Sequence, residues 1–106
     1  MISEDRLQKA LTYLSETCEE AANAKSLVEG LKQKGKTVKG MGFLQADGTV
    51  AERDAKSVTS DIFQGWNEDL ENAVAESETY ENKRKVEELI VRTYQTISAN
   101  LRATNV

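Results

Sequence analysis

The sequence predicts an all-α protein: an elongated helical hairpin of two long helices with a short capped helix between them, packed into an oligomeric helical bundle. Three observations carry this prediction. Proline, the strongest helix breaker, is absent from all 106 residues. Residues 60–104 hold a single glycine and repeat apolar residues at helical spacing. The composition, 30% charged, 39% hydrophobic and 6% aromatic, suits rods better than a compact sphere. Rods of this kind leave little chain for a globular core, so their apolar stripes are expected to be covered by pairing within the hairpin and between subunits.

The chain reads as one helical domain over residues 1–106, beginning with a helix over about 4–38. Ser3 is placed to cap it, and Glu4 and Asp5 suit the positive end of the helix dipole. Leu7, Leu11, Leu14, Cys18 and Ala21 step by four, three, four and three, which makes them one packing seam. The seam continues through Leu27, Val28 and Leu31, and Ala21, Ala22 and Ala24 leave room for a close partner. Gly30 and Gly35 each weaken the helix by about 1 kcal/mol relative to alanine, so a bend is expected between 30 and 40.

Two glycines flank Met41, and Asp47-Gly48 follows as a turn signal, which together predict a chain reversal over about 39–48. Thr49-Val50-Ala51-Glu52 has the capping-box pattern and predicts a short helix over about 50–57. Ser57, Thr59, Ser60 and Asp61 compete for backbone hydrogen bonds and favour a corner with a fresh cap. The last helix is predicted over about 61–103. Ile62, Phe63, Trp66, Leu70 and Ala73 or Val74 form its first stripe, and Val86, Leu89, Ile90, Tyr94, Ile97 and Leu101 its second. A polar waist over 76–85, relieved only by Tyr80, separates the two stripes. The residues expected at packing and oligomer interfaces are therefore Leu7, Leu11, Leu14, Cys18, Phe63, Trp66, Leu70, Ile90, Tyr94, Ile97 and Leu101. Trp66 shares a face with Phe63 and Leu70, so burial in packing is the expected role for it, ahead of an exposed binding anchor.

The residue types restrict the chemistry. With no histidine, the chain lacks imidazole-activated nucleophiles, imidazole zinc ligands and histidine general bases. The single cysteine, Cys18, has no partner for an internal disulfide and no histidine to activate it. Neither a signal-peptide pattern nor a run of 18 apolar residues is present, so a cytoplasmic location and no membrane partner are expected. Acidic groups recur at Glu16/Glu19/Glu20, Glu68/Asp69/Glu71 and Glu76/Glu78/Glu81. Such groups hold Mg²⁺ in all-helical nucleotide pyrophosphohydrolases when two paired motifs face each other, and the second motif with its terminal aspartate is missing here. A solvated helix face is the better reading. No catalytic residue, metal site or cofactor is assigned, and the protein is expected not to be an enzyme.

One constellation points towards nucleic acid. Lys32, Lys34, Lys36 and Lys39 form a basic run beside Phe43, and such runs track phosphates while an aromatic ring stacks on a base. The plainer account, a lysine-rich helix end that favours solubility and complements the dipole, weighs more heavily on a chain of net charge −4 and pI about 4.9.

Two segments carry a resemblance. Asp47-Gly48-Thr49-Val50-Ala51-Glu52-Arg53-Asp54-Ala55-Lys56, and residues 80–102 with their Glu81-Asn82-Lys83-Arg84 and Glu87-Glu88-Leu89-Ile90-Val91-Arg92 runs, resemble small helical early-region proteins of tailed phages and prophages. The resemblance covers about the last 60 residues, and its turn, capped helix and charged helix contain no built-in chemistry. It implies an accessory role near recombination and replication, in the cytoplasm of a host cell. Proteins of that kind often carry a tryptophan where this chain has Tyr94, and no catalytic residue carries over. The resulting expectation is a phage accessory protein that acts as a dimer or higher oligomer. It would bind a recombination or replication component, a phage or host protein, or single-stranded DNA. The alternative is an inhibitor that blocks a host defence or nucleic-acid enzyme with an acidic helical surface, and a third reading is an assembly scaffold.

Overall fold

A computed structural model describes residues 1–104 of the chain. They form four helices and no strand: α1 (Glu4–Gln33), α2 (Gly35–Gln45), α3 (Val50–Ser57) and α4 (Asp61–Thr104). The all-α class is as predicted, and the helix starts are where the capping residues place them. Ser3 Oγ accepts from the Arg6 amide at 3.1 Å, Thr49 Oγ1 from the Glu52 amide at 3.2 Å, and Ser60 Oγ from the Phe63 amide at 3.3 Å.

The break between α1 and α2 is slight. Lys34 keeps right-handed helical angles, its amide reaches Gly30 O at 3.3 Å and Leu31 O at 3.2 Å, and Val38 N bonds Lys34 O at 3.0 Å. The joint is a local perturbation of one rod, at the position where two glycines predicted a bend.

The expected reversal over 39–48 requires correction. Helix continues to Gln45, and the chain turns only over residues 46–49, where Gly48 has φ +116°. Gly40 and Gly42 are helical. Gly42 is retained for packing: a Cβ there would lie 2.7 Å from Ser60 Oγ and 3.0 Å from Ser57 O, so only a bare Cα lets α2 meet α3 this closely. Ser57, which is fully buried, bonds its own helix through Asp54 O at 2.6 Å. On the far side of the turn, Lys56 Nζ donates to Asp47 O at 2.8 Å.

By contact density the chain divides into two compact units. One joins residues 1–22 to those from 78 onward, and the other is Asn23–Ser77. In the first unit, α1 and α4 are antiparallel partners linked from Arg6 to Glu87 and from Leu14 and Thr17 to Arg84. In the second, residues 23–45 lead out and 50–77 return, with Trp66 of α4 bonded to Leu31 of α1.

The inward face of α1 and α2 runs in steps of three and four. In the first unit it is Leu7, Ala10, Leu14, Thr17 and Ala21; in the second, Ala24, Val28, Leu31, Gly35, Val38 and Gly42. This corrects the predicted seam. Leu7, Leu14 and Ala21 are common to both phases, but Ala10 and Thr17 take the inward positions assigned to Leu11 and Cys18. Leu11 is 42% exposed and Cys18 is exposed. On α4, Phe63, Trp66, Leu70, Ile90, Tyr94 and Ile97 are partly shielded, whereas Leu101 is 51% exposed. Small inward residues bring the helices close, and large neighbours are left outside.

Two glycines two residues apart should therefore respond in opposite directions. Gly42→Ala is expected to destabilise by about 1–3 kcal/mol, because Ser57 backbone must move to admit the methyl group. Gly40→Ala, with nothing within 4 Å of the new Cβ, is expected to stabilise by up to about 1 kcal/mol. Urea unfolding midpoints of the two variants check both signs.

Candidate functional site

The lysine run occupies the end of α1 and the start of α2. Lys32, Lys36, Lys39 and Phe43 are spaced by four, three and four and share one flank, whereas Lys34 at the joint lies off that line. The flank is partly neutralised. Lys32 Nζ lies 3.8 Å from Glu29 and Lys39 Nζ 3.5 Å from Asp54, leaving Lys34 and Lys36 without an ion pair among the described residues. Phe43 is half-buried, and the Arg53 guanidinium sits 5.9 Å from its ring centroid. One ring face is thus occupied by a cation of the chain itself. Arg53 joins this group from α3, a neighbour that linear spacing does not reveal.

A second charged surface has the opposite sign. Residues 61–82 contain seven acids and no base, and Glu68, Asp69, Glu71, Glu76, Glu78 and Glu81 are all exposed. Glu81 pairs with Lys85 at 3.0 Å, and Glu71 accepts from Asn67 Nδ2 at 3.3 Å. Next to this run is an open cleft of about 290 Å³, lined by the apolar Leu27, Leu31 and Ala73 and the polar Asp69, Asn72 and Glu76. Sequence reading placed Leu27 on the packing seam. It is 53% exposed at the cleft edge, one position before the true seam residue Val28. No group of three or more carboxylate or thiol ligands is arranged around a metal position among the described residues.

Trp66 is a staple for the α1–α2 joint. Its Nε1 donates to Leu31 O at 2.8 Å, its ring lies 5.3 Å from that of Phe63, and a Cβ on Gly35 would come within 3.0 Å of its six-membered ring. Leu31 O thereby receives two donors, the indole and the Lys34 amide. Trp66 is partly shielded by these contacts within the second unit.

The polar waist and its C-terminal neighbour supply contacts that lie outside the apolar stripes. Arg6 Nη2 donates to Glu87 Oε1 at 2.8 Å and Nη1 approaches Oε2 at 2.7 Å, a two-pronged pair. Arg84 Nη1 donates at 2.8 Å to both Leu14 O and Thr17 Oγ1, and Thr17 Oγ1 donates to Tyr13 O at 2.7 Å. The hydrogen bond from Arg6, reinforced by its charge and opposed by partial burial, holds the Glu87 carboxyl below the usual glutamate range. The same bond raises Arg6. Opposite charges 81 residues apart in sequence give no local signal.

No protein family, curated protein or solved structure matches the chain.

Because the folded Glu87 carboxyl titrates below its unfolded counterpart, the pair contributes stability above the unfolded value of about 4.3. That contribution disappears as the pH falls through the folded value. Glu87→Gln should accordingly melt at a lower temperature than the wild type near neutrality, and the two melting curves should converge in acid. A separation that is constant with pH would assign the effect of the substitution to packing alone.

Proposed function

We propose that the protein acts by association, as a helical oligomer of the phage accessory kind that binds a protein component of recombination or replication. One observation supports this reading above the others. Several large apolar side chains are left outside the seams: Leu11, Leu27, Val86, Leu89 and Leu101 are exposed, while Ala10, Thr17, Ala24, Ala73 and Arg84 share the inward positions with Leu7, Leu14, Val28 and Leu31. Outward leucines on a chain this small are surfaces for another protein. The resemblance of residues 47–56 and 80–102 to small phage proteins points to recombination or replication as the setting.

Single-stranded DNA is the weaker partner on this geometry. Two of the four lysines already face acids, and Arg53 covers one face of Phe43. The acid run of residues 61–82 favours the inhibitor as second reading, since a base-free row of carboxylates suits the cationic surface of a nucleic-acid enzyme.

Sedimentation velocity of the purified chain is expected to give a mass above 11.8 kDa that grows with concentration. Anisotropy of a labelled single-stranded oligonucleotide is expected to show no binding at physiological salt. Binding that persists there and is lost in Lys34→Glu/Lys36→Glu would transfer the function to DNA, and a monomer at every concentration would remove the oligomer.

A further inference from the structure

The cleft on the second unit and the lysines on the other side of its seam are complementary in sign, spacing and chemistry. Along α1, Leu27 precedes the seam residue Val28, whereas Lys25 and Lys32 follow the seam residues Ala24 and Leu31. The seam therefore separates an apolar and acidic flank from a basic one. Asp69 and Glu76 are seven residues apart on α4, about 10.5 Å along a helix. Lys25 and Lys32 are also seven apart on α1, and Lys39 continues the interval on α2. The apolar part of the lining, Leu27, Leu31 and Ala73, suits the aliphatic stem of a lysine, and the carboxylates and Asn72 in the same lining suit its ammonium group.

We infer that the occupant of this cleft is a second copy of the chain, which enters with its Lys25–Lys32–Lys39 flank. The inference rests on the oligomeric reading above and names its interface. The existing pairs of Lys32 with Glu29 and of Lys39 with Asp54 are long and exposed, so they yield readily to closer partners. Donor and acceptor flanks lie on opposite sides of the same unit, which makes the contact heterologous. Each docked copy presents a free cleft and a free lysine flank, so assembly continues into a ring or an open chain and does not stop at a two-fold dimer. Attraction between exposed charges is screened by salt, so the assembly should shorten as ionic strength rises.

A charge exchange tests this on the full chain, with far-ultraviolet circular dichroism as the control for folding. Asp69→Lys/Glu76→Lys has two basic flanks, and Lys25→Glu/Lys32→Glu has two acidic ones. Each alone is expected to associate at least about tenfold more weakly than the wild type by sedimentation velocity. An equimolar mixture of the two is expected to associate again, because the lysines of the first meet the acids of the second. Val86→Glu/Leu89→Glu probes the other candidate surface, the exposed apolar face of the first unit, and is expected to associate more tightly than either charge variant. Wild-type association in both charge variants would overturn the inference. If the Val86/Leu89 variant were then the one that dissociates, the oligomeric reading would stand with its interface on the first unit. A wild-type chain that is monomeric at all concentrations would overturn both.

Discussion

Close approach of helix backbones over small side chains governs the rest of this molecule. Ala10 and Ser57 are fully buried, Ala24 and Ala73 nearly so, and Gly42 lies against Ser57 and Ser60 with no room for a methyl group. Interiors pack at crystalline density, so where the seam is that narrow, at Ala10, Ala24, Gly42 and Ala73, a larger side chain does not fit, while Leu7, Leu14 and Leu31 occupy the wider positions between. Larger residues are displaced to the flanks, where Leu11, Leu27 and Leu89 keep much of their surface in water. The apolar area buried by a single chain is consequently small, since alanine and glycine contribute little per residue.

Polar contacts then carry the register. A seam of alternating three- and four-residue steps repeats every seven residues, so apolar matching alone tolerates a slip by one heptad. The forked Arg6–Glu87 pair and the Arg84 bonds to Leu14 O and Thr17 do not tolerate it in the first unit, and the Trp66 bond to Leu31 O does not in the second. Each would leave a partly buried donor or acceptor without a partner, a penalty of about 1–3 kcal/mol and more for a charged group. Trp66 adds a local effect: it holds the carbonyl at the point where Gly30 and Gly35 weaken the rod.

Charge separation follows from the same geometry and gives the surface its character. In the second unit the lysines of α1 and α2 and the carboxylates of α4 lie on opposite flanks of the seam, with Glu29 and Asp54 set among the lysines. The carboxylates beside the apolar side chains of the cleft are the feature on which the proposed self-association rests. The acidic net charge, which argues against wrapping phosphate, is concentrated in residues 61–82 and does not describe the lysine edge.

The sequence by itself determined the helical class, the caps at Ser3 and Thr49, a corner with a fresh cap among residues 57–61, and the first stripe of α4, because those depend on hydrogen bonds and periodicities within a few residues. Tertiary structure decided the rest. Steps of four–three and three–four share Leu7, Leu14 and Ala21, and hydrophobicity prefers Leu11 and Cys18 between them; the need for short interhelical distance selects Ala10 and Thr17. Gly40 and Gly42 read as a turn because isolated glycine weakens a helix, yet the contact with Ser57 keeps the helix intact to Gln45. The lysine run was legible as four residues, but not its acids, its position on one flank or the Arg53 cap on Phe43, which come from elements folded back on it. The cleft beside Leu27 was invisible for the same reason. Local rules assign each residue to a helix, and only the neighbouring helix decides which side of it faces inward.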